Sequence, residues 1–236
     1  MARGMSPTAL RGLIDTLENA IGGLKWRPPA TVWTAYDPET SYSAAAAAHK
    51  GELVRAFLEK TRAGVVWDLG ANTGRFSSTA ADAGAYTVAF DSDCGATERH
   101  YQTCRSAGEA RILPLVVDLA NPSPASGWAH SEQSSWAARG PADAVLALAL
   151  VHHLAIGHGV PLARIAELLA AICTDAIVEF VPKDDPQTQR LLAARPDVFG
   201  EYDQPGFERA FALHFSIRQS VPIRGSRRVM YMLQRP

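Results

Sequence analysis

Three aspartates stand where β-like runs end: Asp68 in VVWDL, Asp91 after YTVAF and Asp118 after ILPLVV. One acid at such a place is an ordinary helix cap or turn former, but three in succession set carboxylates along one edge of a sheet. The first opens a glycine loop, Asp68-Leu69-Gly70-Ala71-Asn72-Thr73-Gly74, ahead of a helical run. Gly70 lets the chain turn sharply and approach a ligand, and Gly74 permits close packing at the helix start. Asn72 stands where many such loops have a third glycine, and asparagine tolerates positive φ better than other residues that carry a β-carbon.

Such a turn serves either a dinucleotide, whose pyrophosphate takes the helix N-terminus, or S-adenosylmethionine, which has no phosphate. Asp68 separates the two, because a carboxylate at the loop mouth repels a pyrophosphate and suits a cationic amino group. The glycine spacing also departs from GxGxxG. Asp91 lies where an acid accepts hydrogen bonds from both ribose hydroxyls, and Asp118 can accept from an adenine amino group while the Leu119 N–H reaches a ring nitrogen. With DLGANTG, AFDSD and VVDLA as its motifs, the chain resembles the class I S-adenosylmethionine-dependent methyltransferases over about residues 50–236. More narrowly, ILPLVVDLANPSP, VLALALVHHLAIG and VEFVPKDDPQTQRLL resemble a bacterial group that includes nodulation-associated methyltransferases. The expected donor site is Asp68, Gly70, Asn72, Gly74, Asp91, Ser92, Asp118, Leu119 and Leu148.

In that fold the acceptor lies beyond the fourth and fifth strands, at LALALVHHLAIGH and VEFVPKDD. His152 and His153 offer a base near neutral pH, and Glu179 is expected to end the fifth strand with an outward-facing carboxylate. The simpler alternative is that the histidines only pack their loop. Lys183 and Asp184 read either as substrate contacts or as a charged turn before Pro186, and Tyr36 and Tyr42 as cover for the pocket. Trp26 and Trp33 are expected to pack the N-terminal segment onto the sheet. His152, His153, His158 and Glu179 lack the spacing of a metal site, so no metal is expected. Asn121-Pro122-Ser123-Pro124 follows the third strand rather than the fourth, which argues against a grip on an exocyclic nitrogen.

Positioning these residues requires alternating strands and helices. Compact runs at Val65 to Leu69, Tyr86 to Phe90, Ile112 to Val117, Ala144 to Ala149 and Ala176 to Phe180 are the strands. Phe76 to Ala83, Ala96 to Ala107 and Leu162 to Ile172 are the helices between them. The alternation is that of a doubly wound α/β sheet with a terminal antiparallel hairpin around Gly225-Ser226, and the family resemblance implies a mostly parallel sheet of seven strands whose last strand is antiparallel. Residues 1–60 read as a helical extension or lid and 61–236 as the methyltransferase domain.

With 23 Lys plus Arg against 24 Asp plus Glu, no strong field supports a nucleic-acid or anionic-membrane partner. Cys94, Cys104 and Cys173 form neither a disulfide framework nor a zinc motif, which fits a reducing cytoplasm. No apolar run reaches the roughly 18 residues of a membrane span. These features point to an enzyme that methylates a small molecule, with oxygen the favoured acceptor atom. The alternatives are an RNA or protein methyltransferase, and a non-catalytic S-adenosylmethionine-binding regulatory module. Oligomeric state is not legible.

Overall fold

Burial with a period of two along the central strands divides the protein into layers. In β1 (Val65–Leu69), Trp67 and Leu69 enter one core, while Val66 enters another. In β4 (Ala142–Ala147) Val145 and Ala147 oppose Ala144 and Leu146, and in β5 (Cys173–Phe180) Ala176, Val178 and Phe180 oppose Ile177. Neighbouring side chains of a strand point to opposite faces, so each strand serves both cores at once.

The computed structural model describes residues 5–26, 28, 42–193 and 196–236. Its sheet has seven strands in the order β3-β2-β1-β4-β5-β7-β6, with β2 at Tyr86–Asp91 and β3 at Ile112–Val116. The first five strands run parallel. β7 (Val229–Gln234) runs antiparallel to both β5 and β6 (Ser216–Pro222), as the hairpin composition requires. β3 is an edge strand, where Pro114 is tolerated because a missing N–H on the free side breaks no ladder.

On one face, Ile165, Leu169 and Ile172 of α5 (Leu162–Ile172) and Phe207 and Phe211 of α7 (Gln204–Ala212) pack against Trp67, Val178 and Tyr231. Trp67, Phe90 and Trp136 form an aromatic trio there, with ring centroids 5.1 to 5.5 Å apart. On the other face, Ala46, Val54, Phe57 and Leu58 of α2 (Ala44–Thr61) join Val66, Leu146, Ile177 and Met230 in one cluster. The expected boundary at residue 60 thus falls at the end of a helix whose inner face belongs to the sheet's own core. Ser43 starts that helix by accepting the Ala46 N–H. By contrast, α1 (Pro7–Gly22) buries no residue and leaves Leu10, Leu13, Ile14, Leu17 and Ile21 exposed. Trp26 is 58% exposed and does not pack on the sheet, which corrects that expectation, whereas Trp33 and Tyr36 lie outside the described residues. Among the described residues, no helix is long and apolar enough to cross a membrane.

The fourth strand ends at Ala147, short of the expected Ala149, because Ala149 takes a left-handed conformation at φ 51° and turns the chain out of the sheet. The glycine loop shows the conformations its composition requires. Gly70 has φ 75°, Asn72 φ 51° and Gly74 φ 87°, and α3 (Arg75–Asp82) starts at once. Against Gly74 lies the buried ring of His100 from α4 (Cys94–Ala107). A β-carbon on Gly74 would sit 2.0 Å from His100 Nε2. Gly74→Ala is therefore expected to destabilise by about 2–4 kcal/mol, combining overpacking with a left-handed alanine. In a His100→Ala background only the conformational part, about 1–2 kcal/mol, should remain. Urea unfolding of the four proteins in this cycle measures the difference, and equal losses in both backgrounds would refute the packing account.

Candidate active site

A single cleft crosses the carboxyl ends of the parallel strands and contains Asp68, the 70–74 loop, Asp91, Ser92, Asp118, Leu119, Leu148, His152 and His153. Its volume is about 290 Å³, at the small end of the range for small-molecule sites. The strands divide it chemically. Asp68 lies near the end of β1, Asp91 ends β2 and Asp118 follows β3, on one half of the sheet. The β4, β5 and β7 half brings His152, His153, His158, Gln187 and Arg228, joined by Tyr42 and Lys50 from the N-terminal side.

On the acidic half, Gly70 and Ala71 both donate their N–H groups to the Phe90 carbonyl, clamping the loop to β2 at 2.8 and 3.0 Å. Asp91 holds the loop from the other side, since one carboxylate oxygen accepts the Asn72 N–H at 2.7 Å and the other the Asp93 N–H at 2.8 Å. Each oxygen keeps lone-pair capacity toward the cleft. Asp118 is exposed and accepts the Ala120 N–H at 2.8 Å. Asp68 is 2% exposed and accepts the Ser77 hydroxyl at 2.6 Å. Burial pushes its carboxyl up to about 6, an effect the Ser77 hydrogen bond and the Lys50 charge only partly oppose.

The opposite half is built on a buried ion network. Arg228, at the start of β7 and 2% exposed, gives Nε and Nη2 to the two oxygens of Asp185 at 2.7 and 3.0 Å, and Nη1 to Glu179 at 3.3 Å. Lys50 Nζ lies 2.6 Å from the other Glu179 oxygen. Tyr42 donates its hydroxyl to Glu179 and accepts from Arg228 and Lys50. Burial alone would raise the Glu179 carboxyl, but Lys50 and Arg228 outweigh it and hold the acid below its ordinary range. Burial lowers the Lys50 ammonium against the opposing pull of Glu179, and raises the Tyr42 phenol with help from the same acid.

Several expected site residues are thereby relocated. Glu179 does not face outward: strand parity turns it onto the α2 side, where it is fully buried and stands behind the cleft wall. Lys183 pairs with Asp197, and Asp184 with Arg227, all outside the cleft, so the charged-turn alternative describes them. His152 and His153 do line the cleft, with ring centroids 4.1 Å apart. Burial, and then the neighbouring imidazole, drives His152 well below the usual histidine range, and burial brings His153 down to about 4. Both rings are neutral at pH 7. His152 is 1% exposed, and its Nδ1 has no partner among the described residues.

Lys50, Arg75 and Arg228 are cationic wall residues that sequence reasoning missed. Ala46, Lys50, Val54 and Phe57 share a helical stripe, so a lysine on an apolar stripe was the available signal. Arg228 precedes Val229 in the alternation of β7, which places it on the α2 face with Met230. Ala149 was also missed, and no local signal marks an alanine for positive φ.

No family model matches the sequence. The chain is 37% identical to nodulation protein NoeA of Rhizobium meliloti (strain 1021) over 99% of its own length and 49% of that protein. It spans about half the length of the curated relative it matches. Among solved structures, the magnesium protoporphyrin IX methyltransferase ChlM of Synechocystis PCC 6803, with bound SAM, superposes at a TM-score of 0.58 and 16% identity, each chain covered completely. The N-methyltransferase NodS of Bradyrhizobium japonicum WM9 also gives a TM-score of 0.58, at 11% identity over 82% of this chain and 98% of its own.

Removing one member of a buried charge set leaves the rest uncompensated, at about 3–5 kcal/mol. Glu179→Ala is expected to destabilise by that amount in urea unfolding, and Glu179→Gln by less because the amide still accepts hydrogen bonds. Lys183→Ala, on an exposed pair, should leave the unfolding midpoint unchanged. A Glu179→Ala midpoint equal to that of the parent would show that the network contributes nothing.

Proposed function

We propose that this chain, whose fold is that of solved methyltransferase structures and which is 37% identical to a nodulation protein, transfers a methyl group from S-adenosylmethionine to oxygen of a small-molecule acceptor. The observation that carries this reading is the row of three carboxylates, Asp68, Asp91 and Asp118, along the same cleft as the glycine loop. The donor set fits the proposed ligand: a buried carboxylate for a cationic amino group, a clamped carboxylate for a ribose, and an exposed one beside Leu119 for adenine. When bound, S-adenosylmethionine supplies an activated methyl carbon with a neutral thioether as leaving group.

The chain's part is then to bind, align and exclude water, and alignment alone can contribute on the order of 7–11 kcal/mol. Asp68 orients the donor's amino group, Asp91 and Ser92 hold the ribose, and the Gly70 turn lets the backbone approach. Leu148, Ala149 and Leu150 leave β4 at the middle of the cleft, between the acidic half and the imidazoles of His152 and His153. The left-handed Ala149 aims this segment into the site. Non-glycine residues adopt such a conformation rarely and at functional positions more than elsewhere. Tyr42 and Phe76 wall the cleft on the α2 and α3 side.

Asp68 also sets a pH dependence. Its carboxyl titrates near 6 in the free protein, and only the ionised form attracts an ammonium. A proton therefore competes with the donor below about pH 6, so affinity should fall as pH drops through that value, toward tenfold per unit. Titration calorimetry between pH 5 and 7.5 is expected to show this, and Asp68→Asn should bind weakly with no such slope. Asp91→Ala should weaken binding about 10- to 100-fold, as expected for losing hydrogen bonds to a charged acceptor. Tight binding of NAD without binding of the methyl donor would overturn the assignment.

A further inference from the structure

Away from the cleft, one face of α1 is apolar and open among the described residues. Leu10, Leu13, Ile14, Leu17 and Ile21 recur at helical spacing, form one stripe, and are 45 to 67% exposed. Single exposed leucines are ordinary on a protein surface, but five along one stripe are not. Ile14, Leu17 and Ile21 line a shallow groove there, with Glu18 on its rim. The helix is well started, since the Ser6 hydroxyl accepts the Ala9 N–H and Pro7 opens the first turn. A helix of 16 residues is nevertheless marginal in water by itself, and packing of its apolar face is what normally holds one.

The two flanks of the stripe differ. On one side stand Arg11 and Glu18, two turns apart and nearly in line along the helix, both exposed and without an ion-pair partner among the described residues. On the other side stand Ala9 and Ala20. When two copies of a helix pair antiparallel about a two-fold axis, like flanks meet, whereas a parallel pair brings opposite flanks together. An axis level with the Ile14–Asp15 peptide sets Arg11 of each copy opposite Glu18 of the other. The same register sets Ala9 opposite Ala20, where small side chains let the backbones approach, and interleaves the two apolar stripes. A parallel pair would lay the charged flank against the alanine flank and leave both charges unmatched. The helix carries one basic residue, Arg11, against two acids, Asp15 and Glu18, which is the wrong balance for an anionic lipid surface.

We propose that α1 is a self-association surface, which pairs antiparallel with α1 of a second copy of this chain through the stripe from Leu10 to Ile21 and two reciprocal Arg11–Glu18 ion pairs. Such pairing is independent of what the cleft binds. The isologous form follows from the sequence, because a single patch supplies both the cation and the acid that each copy needs. A 16-residue helix is about 24 Å long and about 10 Å wide. A contact of that size falls short of the roughly 800 Å² per partner of a standard interface. The chain is therefore in a monomer–dimer equilibrium that dilution reverses, and not a permanent dimer.

Sedimentation equilibrium of the full chain, from low micromolar to several hundred micromolar at low salt, tests this. The average mass is expected to rise with concentration from that of a monomer toward twice that value. Arg11→Glu and Glu18→Arg should each weaken association about tenfold, since each turns two attractive contacts into repulsive ones. The double variant Arg11→Glu, Glu18→Arg should recover the parent's association, because the pairs re-form with their signs exchanged. Ile14→Asp should stay monomeric, with the parent's urea midpoint at the lowest concentration because α1 buries no residue. A chain that is monomeric throughout, as when a lipid surface or a further segment of a longer protein covers the stripe, would overturn the proposal. So would a dimer indifferent to Ile14→Asp, or a double variant no better than the single ones. A lowered midpoint in Ile14→Asp would show that the stripe packs on its own chain, with the same consequence.

Discussion

Arg228 is a guanidinium almost wholly removed from water, and stripping a charge of its solvent costs several kcal/mol unless partners replace it. The start of β7 can lie against the end of β5 only because Glu179 and Asp185 supply those partners. Asp185 also accepts the Gln187 N–H at the start of α6 (Pro186–Leu192), so one carboxylate caps a helix and holds the arginine. Glu179 in turn collects Lys50 from α2 and the hydroxyl of Tyr42. A single set of charges thus joins the antiparallel end of the sheet, the helix after β5 and α2 at one corner of the cleft. Such a set is weak evidence for stability as a whole, because its Coulomb attraction is largely offset by desolvation, but no member can be withdrawn alone.

The two halves of the cleft obey different physics. Around the glycine loop, position is set by backbone hydrogen bonds, with the Phe90 carbonyl and the Asp91 carboxylate each fixing loop amides. The polar groups of this half satisfy one another at short range. Across β4, the positions of cationic and imidazole groups are set by burial among apolar residues and by the charge network. Burial there lowers the basicity of His152 and His153, whereas Arg228 stays charged because its acid partners are buried with it.

The sheet was legible because its signals are local. Compact apolar runs, the glycine loop and the hairpin composition identify strands and turns without knowledge of their neighbours, and three aspartates at three strand ends mark the cleft's acidic half. The fourth strand's end was misplaced because Leu148 and Ala149 look like its continuation, and only the contacts around them turn the chain. Glu179 was misread for a physical reason: ending a strand says nothing about which face a side chain takes, and parity with the buried Ile177 decides it. Lys183 and Asp184 find partners at Asp197 and Arg227, distant in sequence, and no spacing rule anticipates pairing of that kind.

Lys50 shows how packing and chemistry are tied together. Its helix is held by Ala46, Val54, Phe57 and Leu58 in the same core as Val66, Leu146, Ile177 and Met230. Because Lys50 falls on that apolar stripe, its ammonium is carried to Glu179 by the packing of its neighbours rather than by its own attraction. The small side chains at Ala46 and Ala47 let the first turn approach the sheet, so larger residues there would lift the helix and withdraw the cation from the cleft. The alanine-rich run SAAAAAHK, the plainest stretch of the sequence, is therefore what allows a charged residue to stand at the wall of the site.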